Sequence, residues 1–100
     1  MEPAAQKLPD LTGKTSSEAL TILSSYGFKF KATTKGGYQT YIHPDGSVIH
    51  IRDNREIVRT GPKLKTSDGK SYRRRYDQNG NQIQFITGAN THNTGEILIP

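Results

Sequence analysis

The chain has 100 residues, 31% hydrophobic and 23% charged, with a formal net charge of +5 and no cysteine. This suits one domain with a small core and excludes a disulfide framework and a thiolate metal site. No apolar run approaches the ~18 residues of a membrane span, so no stable membrane insertion is expected, and the first residues lack the apolar stretch of a signal peptide.

Residues 1–7 read as the end of a linker, which leaves 8–100 as a single domain. "TSSE" at Thr15 to Glu18 is a capping box: the threonine hydroxyl accepts the backbone N–H of Glu18 and the glutamate reaches back. Ala19, Ile22, Leu23 and Tyr26 then recur at i, i+3, i+4 and i+7, and Gly27 suits the left-handed residue that stops a helix. After Phe28 the period becomes two. "FKFKATT", "YQTYIH", "SVIHIR", "EIVRT", "KSYRRRYD" and "NQIQFIT" are separated by Gly-Gly, Pro-Asp-Gly, Asp-Asn, Ser-Asp-Gly and Asn-Gly, all turn chemistry. "GPKLKTSDGK" at 61–70 reads as a mobile loop, and "GEILIP" is a further short strand candidate. The expected fold is α+β: an N-terminal helix packed on a twisted antiparallel meander sheet of about five strands.

A three-residue loop Pro44-Asp45-Gly46 pairs His43 with Ser47, Tyr41 with Ile49 and Thr40 with His50. A two-residue loop moves the side chains of the first strand to the opposite face. In either register His50 and Arg52 share a face opposite Ile49 and Ile51. If its loop is Asp53-Asn54-Arg55, the next hairpin sets Arg52 near Glu56, His50 beside Val58 and Arg59 beside Ile49, so three strands can gather His43, His50, Arg52 and Arg59.

Charge is concentrated between His50 and Tyr76, where nine cations face three acids. Such a field favours a polyanionic partner, nucleic acid first. Metal-free cleavage of RNA needs a base for the 2′-OH, an acid for the leaving 5′ oxygen and cations for the phosphorane. His43, His50 and His92 suit the first two roles, since histidine titrates near neutrality. Arg52 and Arg59 suit the third, because the guanidinium fork matches phosphate oxygens. Thr94 could hold a phosphate oxygen or orient a histidine. In "YRRRY", Tyr72, Arg74 and Tyr76 share one face and Arg73 and Arg75 the other. That interleaving, with Lys63 and Lys65 before it, suits base stacking and phosphate clamping. It equally suits tyrosines packed inward beneath arginine stems. Likewise, His43 could simply bond its own turn. No HExxH pattern, carboxylate cluster, phosphate loop or GxSxG elbow is present, so no metal or cofactor is expected.

"GYQTYIHPDGSVIHIRDNREIVRTGPK", "YRRRYDQNGN" and "HNTGE", which lie within residues 36–98, resemble the C-terminal toxin domains of bacterial polymorphic and contact-dependent growth inhibition proteins. The resemblance implies a ribonuclease of the barnase, EndoU and RelE group, with His, Arg or Lys, and Ser or Thr on the sheet. By residue type it points to His43, His50, Arg52, Arg59, His92 and Thr94. It further implies tRNA or other structured RNA as substrate and an acidic immunity protein as partner. Delivery would run from a secreted or cell-surface toxin into the cytoplasm of a target bacterium. Arg55 departs from the pattern, since a glycine is expected at that tight turn and a left-handed arginine costs ~1 kcal/mol. "LPDLTGKTSSEALTILSSYGF" is similar to the opening of a PASTA module and reads as a convergent strand–helix start. The alternative functions are a non-catalytic nucleic-acid-binding module using the same Arg/Tyr face, and a structural or interaction domain.

Overall fold

The structure, a computed structural model, describes residues 2–83 and 94–100. Its architecture is α+β. Among the described residues, helices α1 (Ala4–Lys7) and α2 (Ser16–Ser25) precede strands β1 (Lys29–Thr33), β2 (Gln39–Ile42), β3 (Val48–Ile51), β4 (Ile57–Lys65) and β5 (Ser71–Tyr76). The strands form one antiparallel sheet in the order β1-β2-β3-β4-β5, a plain meander.

The capping box forms as expected, with Thr15 accepting from Glu18 N–H and Glu18 accepting from Thr15 N–H at 3.0 Å. Ala19 and Leu23 are buried against the sheet, while Tyr26 is 40% exposed. The apolar stripe thus stops short of Tyr26, which has already left helical geometry as the C-cap. Gly27 follows at φ 90° and turns the chain into β1.

Both hairpins take the registers that three-residue loops require. Thr40 pairs with His50 and Tyr41 with Ile49, and His43 N–H donates to Ser47 O at 2.9 Å. His50 pairs with Val58 and Arg59 with Ile49, and Arg52 N–H donates to Glu56 O at 2.8 Å. Arg55 occupies the left-handed position at φ 70° where a glycine would be easier. Leu98 N–H donates to Arg55 O at 3.0 Å, so the C-terminal segment fastens this strained turn.

Three expectations are corrected. The stretch read as a linker is part of the fold: Ala5 is wholly buried in α1, and Ala4 N–H donates to Asp45 Oδ2 at 2.9 Å. The stretch 61–70 is not a loop through its length. β4 runs on to Lys65, and a bulge between Thr60 and Lys63 absorbs Pro62, which has no N–H to give a ladder. Finally, "GEILIP" forms no strand among the described residues. It makes isolated bridges, Glu56 to Ile97 and Thr15 to Ile99, which lace it across the sheet and the start of α2. Of the expected strand at 81–87, a bridge from Tyr76 to Gln82 is present and residues 84–87 lie outside the described residues.

One apolar cluster lies between the helices and the inner face of the sheet, built from Leu8, Leu11, Ala19, Leu23, Phe28, Tyr41, Ile49, Ile51, Ile57, Tyr76 and Leu98. Arg59 shares this inner face because it pairs with Ile49, and it is 1% exposed. Its Nε and Nη2 donate to Glu96 Oε1 and Oε2 at 2.8 and 2.6 Å. Nη1 donates to Ala5 O and Leu8 O at 3.2 and 2.7 Å, and Nη2 to Pro9 O at 2.8 Å. Every guanidinium N–H therefore has an acceptor. Glu96 Oε2 also accepts Leu11 N–H at 3.0 Å. Removing one member of such a pair leaves an uncompensated buried charge. Accordingly, Glu96→Gln and Arg59→Met should each lower the unfolding free energy by about 3–5 kcal/mol in urea titrations.

Candidate nucleic-acid interface

The outer face of the sheet, opposite the helices, carries a groove of about 360 Å³. Alternation along the strands decides what lines it. Val48 and His50 of β3 point here because Ile49 and Ile51 point into the core. Thr40 and Ile42 come from β2, Lys31 from β1, Thr60 from β4, and Arg73 and Arg75 from β5. Among the described residues the lining thus holds three cations, a histidine and two threonines, with no carboxylate. Burial removes water from Arg75 and lowers its pKa from the ordinary arginine value, although a guanidinium stays charged. Arg73 Nη1 reaches back over the bulge to Gly46 O at 3.2 Å and Gly61 O at 3.5 Å, which fixes it at the groove edge. Lys63 pairs with Arg73 across the ladder, and Lys65 with Ser71, so both lysines extend the same positive face.

His50 meets the ring of Tyr38 edge-on, with centroids 6.2 Å apart. Arg52 lies over the same ring, its Cζ 5.4 Å from the centroid, and donates from Nη1 to Glu56 Oε2 at 3.3 Å. His50, Arg52 and Tyr38 therefore form one cluster beside the groove, as the shared face of the first two required.

The other candidates are placed elsewhere. His43 lies on the inner side of the sheet with Tyr41 and Ile49. Its ring packs edge-on against Phe28 at 5.2 Å and sits so close to Gly27 that a Cβ there would meet Nε2 at 2.9 Å. Its Nδ1 accepts Asp45 N–H at 3.0 Å. Asp45 Oδ1 is also 3.1 Å from that nitrogen, but it already accepts Ser47 N–H at 2.7 Å. Both contacts hold the imidazole against the turn. His43 thus ties the Pro-Asp-Gly turn to the end of α2. Arg59 is the buried ion-pair residue described above, and no ligand on the outer face can meet it. Thr94 O accepts from Gln78 Nε2 at 3.1 Å, away from the groove lining. His92 lies outside the described residues.

The arginine–tyrosine strand divides as its period demands. Arg73 and Arg75 line the groove, whereas Tyr76 is 3% exposed in the core and cannot stack on a base. Tyr72 pairs with Leu64, and Arg74 and Tyr76 line a separate hollow of about 280 Å³ beside Pro3, Pro62 and Leu64. Lys31, Tyr38, Thr40 and Thr60 were missed in the sequence. Their signal was parity: Thr60 must take the face opposite Arg59, and Lys31 belongs to an alternating basic strand.

Among the described residues, no group of three or more His, Asp or Glu is placed to hold a metal ion, and no helix is long and apolar enough to cross a membrane. No family model matches the chain, and no curated protein or solved structure is similar enough to match it.

Asp45 carries a pH dependence that is independent of the groove. Burial raises its pKa, but hydrogen bonds from Ala4 and Ser47, with His43 nearby, outweigh it and hold the carboxyl below its ordinary 3.8. A depressed folded-state pKa gives stability that is full above the unfolded value and is lost as pH falls through the folded one. The stability difference between wild type and Asp45→Asn, measured by urea unfolding, should therefore be largest above pH 4 and shrink as the solution is acidified below it.

Proposed function

We propose that the protein is a metal-independent endoribonuclease acting on structured RNA such as tRNA. The observation that carries this reading is a groove lined, among the described residues, by three cations and a histidine with no carboxylate, on the face of the sheet opposite the helices. His50 transfers a proton in the attack of a ribose 2′-OH on the adjacent phosphorus. The P–O5′ bond breaks, the 5′ oxygen takes up a proton, and a 2′,3′-cyclic phosphate remains. Arg75 and Arg73 offset charge on the phosphorane oxygens, and Lys31, Lys63 and Lys65 hold flanking phosphates. Tyr38 offers a ring for a neighbouring base. The resemblance to growth-inhibition toxin domains supports the same chemistry through its sheet-borne histidine, cations and hydroxyl. It adds delivery into a target bacterium and an acidic immunity protein that covers the positive face.

One observation favours a second reading, a nucleic-acid-binding module without catalysis. Among the described residues His50 is the single histidine at the groove, because His43 lies across the sheet. The two readings separate when purified protein is incubated with total RNA in EDTA. Cleavage with cyclic phosphate ends supports the nuclease, and intact RNA with salt-sensitive binding supports the module. For the nuclease, His50→Ala should reduce the rate by about 10²-fold or more, while His43→Ala, if folded, cleaves at close to the wild-type rate. Equal rates for His50→Ala and wild type would remove His50 from the mechanism.

A further inference from the structure

Thr60 is the most buried residue lining the groove, at 5% exposure, and its Oγ1 has no hydrogen-bond partner among the described residues. A buried hydroxyl left unsatisfied destabilises the fold, and a ligand oxygen that accepts from it would remove that cost. The position of Thr60 suits such a ligand. Thr60 pairs directly with Arg75 in the β4–β5 ladder, and the bulge that begins beyond it brings Arg73 back towards Gly61. Arg73 and Arg75 lie two residues apart on β5 and therefore flank the hydroxyl from the same face. His50 and Lys31 close the other side.

We infer that Thr60, Arg73 and Arg75 form a subsite for one phosphoryl group, in which the Thr60 hydroxyl donates to a phosphate oxygen and the arginines balance its charge. This rests on the reading of the groove as a polyanion site and deepens it by naming the residues that fix one phosphate beside His50. Thr60 is a positioning residue here: it sets where the phosphorus stands relative to the histidine.

The test uses inorganic phosphate, titrated into the full chain at constant ionic strength and followed by amide chemical shifts. Shifts should centre on residues 60, 73 and 75. Thr60→Val removes the hydroxyl at nearly constant shape and should weaken phosphate binding about tenfold. It should also raise the thermal midpoint, because the unsatisfied donor is gone. Thr60→Ser keeps a hydroxyl and should keep wild-type affinity. A purely structural role moves stability and leaves phosphate binding alone. Unchanged affinity in folded Thr60→Val, or shifts centred away from these residues, overturns the proposal. Equal weakening in Thr60→Ser does so too. Phosphate is not cleaved, so this outcome is separate from the RNA assay. A protein that binds phosphate through Thr60 but leaves RNA intact keeps the subsite and loses the nuclease.

Discussion

The fold depends on keeping one positive charge out of water. Arg59 is the third residue of β4, the longest described strand, on the face packed against the helices, where an uncompensated guanidinium would cost more than a small core can offset. Compensation comes from both ends of the chain. Carbonyls of Ala5, Leu8 and Pro9 approach from one side and the carboxylate of Glu96 from the other. The N-terminal segment is consequently a structural part of the domain, and the C-terminal segment stays pinned without forming a strand. With 31% hydrophobic residues, the chain relies on a satisfied polar centre where a larger domain would rely on apolar area.

The same strand connects this centre to the outer groove. Arg59 and Thr60 are neighbours that point to opposite faces, so fixing the first fixes the backbone that presents the second. The bulge after Thr60 then breaks the regular ladder and lets Pro62 sit inside a long strand. The inner face holds a cation that no solute can reach, and the groove on the outer face is lined, among the described residues, by cations without a carboxylate, the Arg52–Glu56 pair lying beside it. A basic count taken from composition treats these alike. Only the second kind contributes a field that a polyanion can feel.

Much of the fold was legible because each junction carries turn residues and stretches such as "FKFKATT" and "SVIHIR" alternate, although β4 begins with five consecutive buried residues. The capping box and the helix stop at Gly27 could be read directly, whereas the sequence left the first hairpin open between a two- and a three-residue loop and gave the second register only for a loop of Asp53, Asn54 and Arg55. Membership of the site was legible only in part, and the reason is parity. The register that pairs Arg59 with Ile49 already assigns it to the buried face, and the one that pairs His43 with Ser47 assigns that histidine to the side of Tyr41. Residue type suggested chemistry for both, whereas position along the strand decided against it. What no local pattern could disclose was the partner of Arg59, since Glu96 and the N-terminal carbonyls are brought there by tertiary packing. The continuation of β4 through Gly61 and Pro62 was hidden for a related reason. Both residues signal a break, and a bulge lets the ladder resume beyond them.

The separations bridged at Arg59 have a kinetic consequence. Its bonds join residues 37 positions apart at Glu96 and 54 apart at Ala5. Neither loop is rewarded until the other elements are nearly in place, and a half-formed centre leaves the guanidinium desolvated and unmatched. Local hairpins can form quickly, whereas the Arg59 centre is complete only when two long loops have closed around a charge. Contacts of such sequence separation cost more loop-closure entropy than the strand pairs of the meander, each of which joins neighbours in the chain.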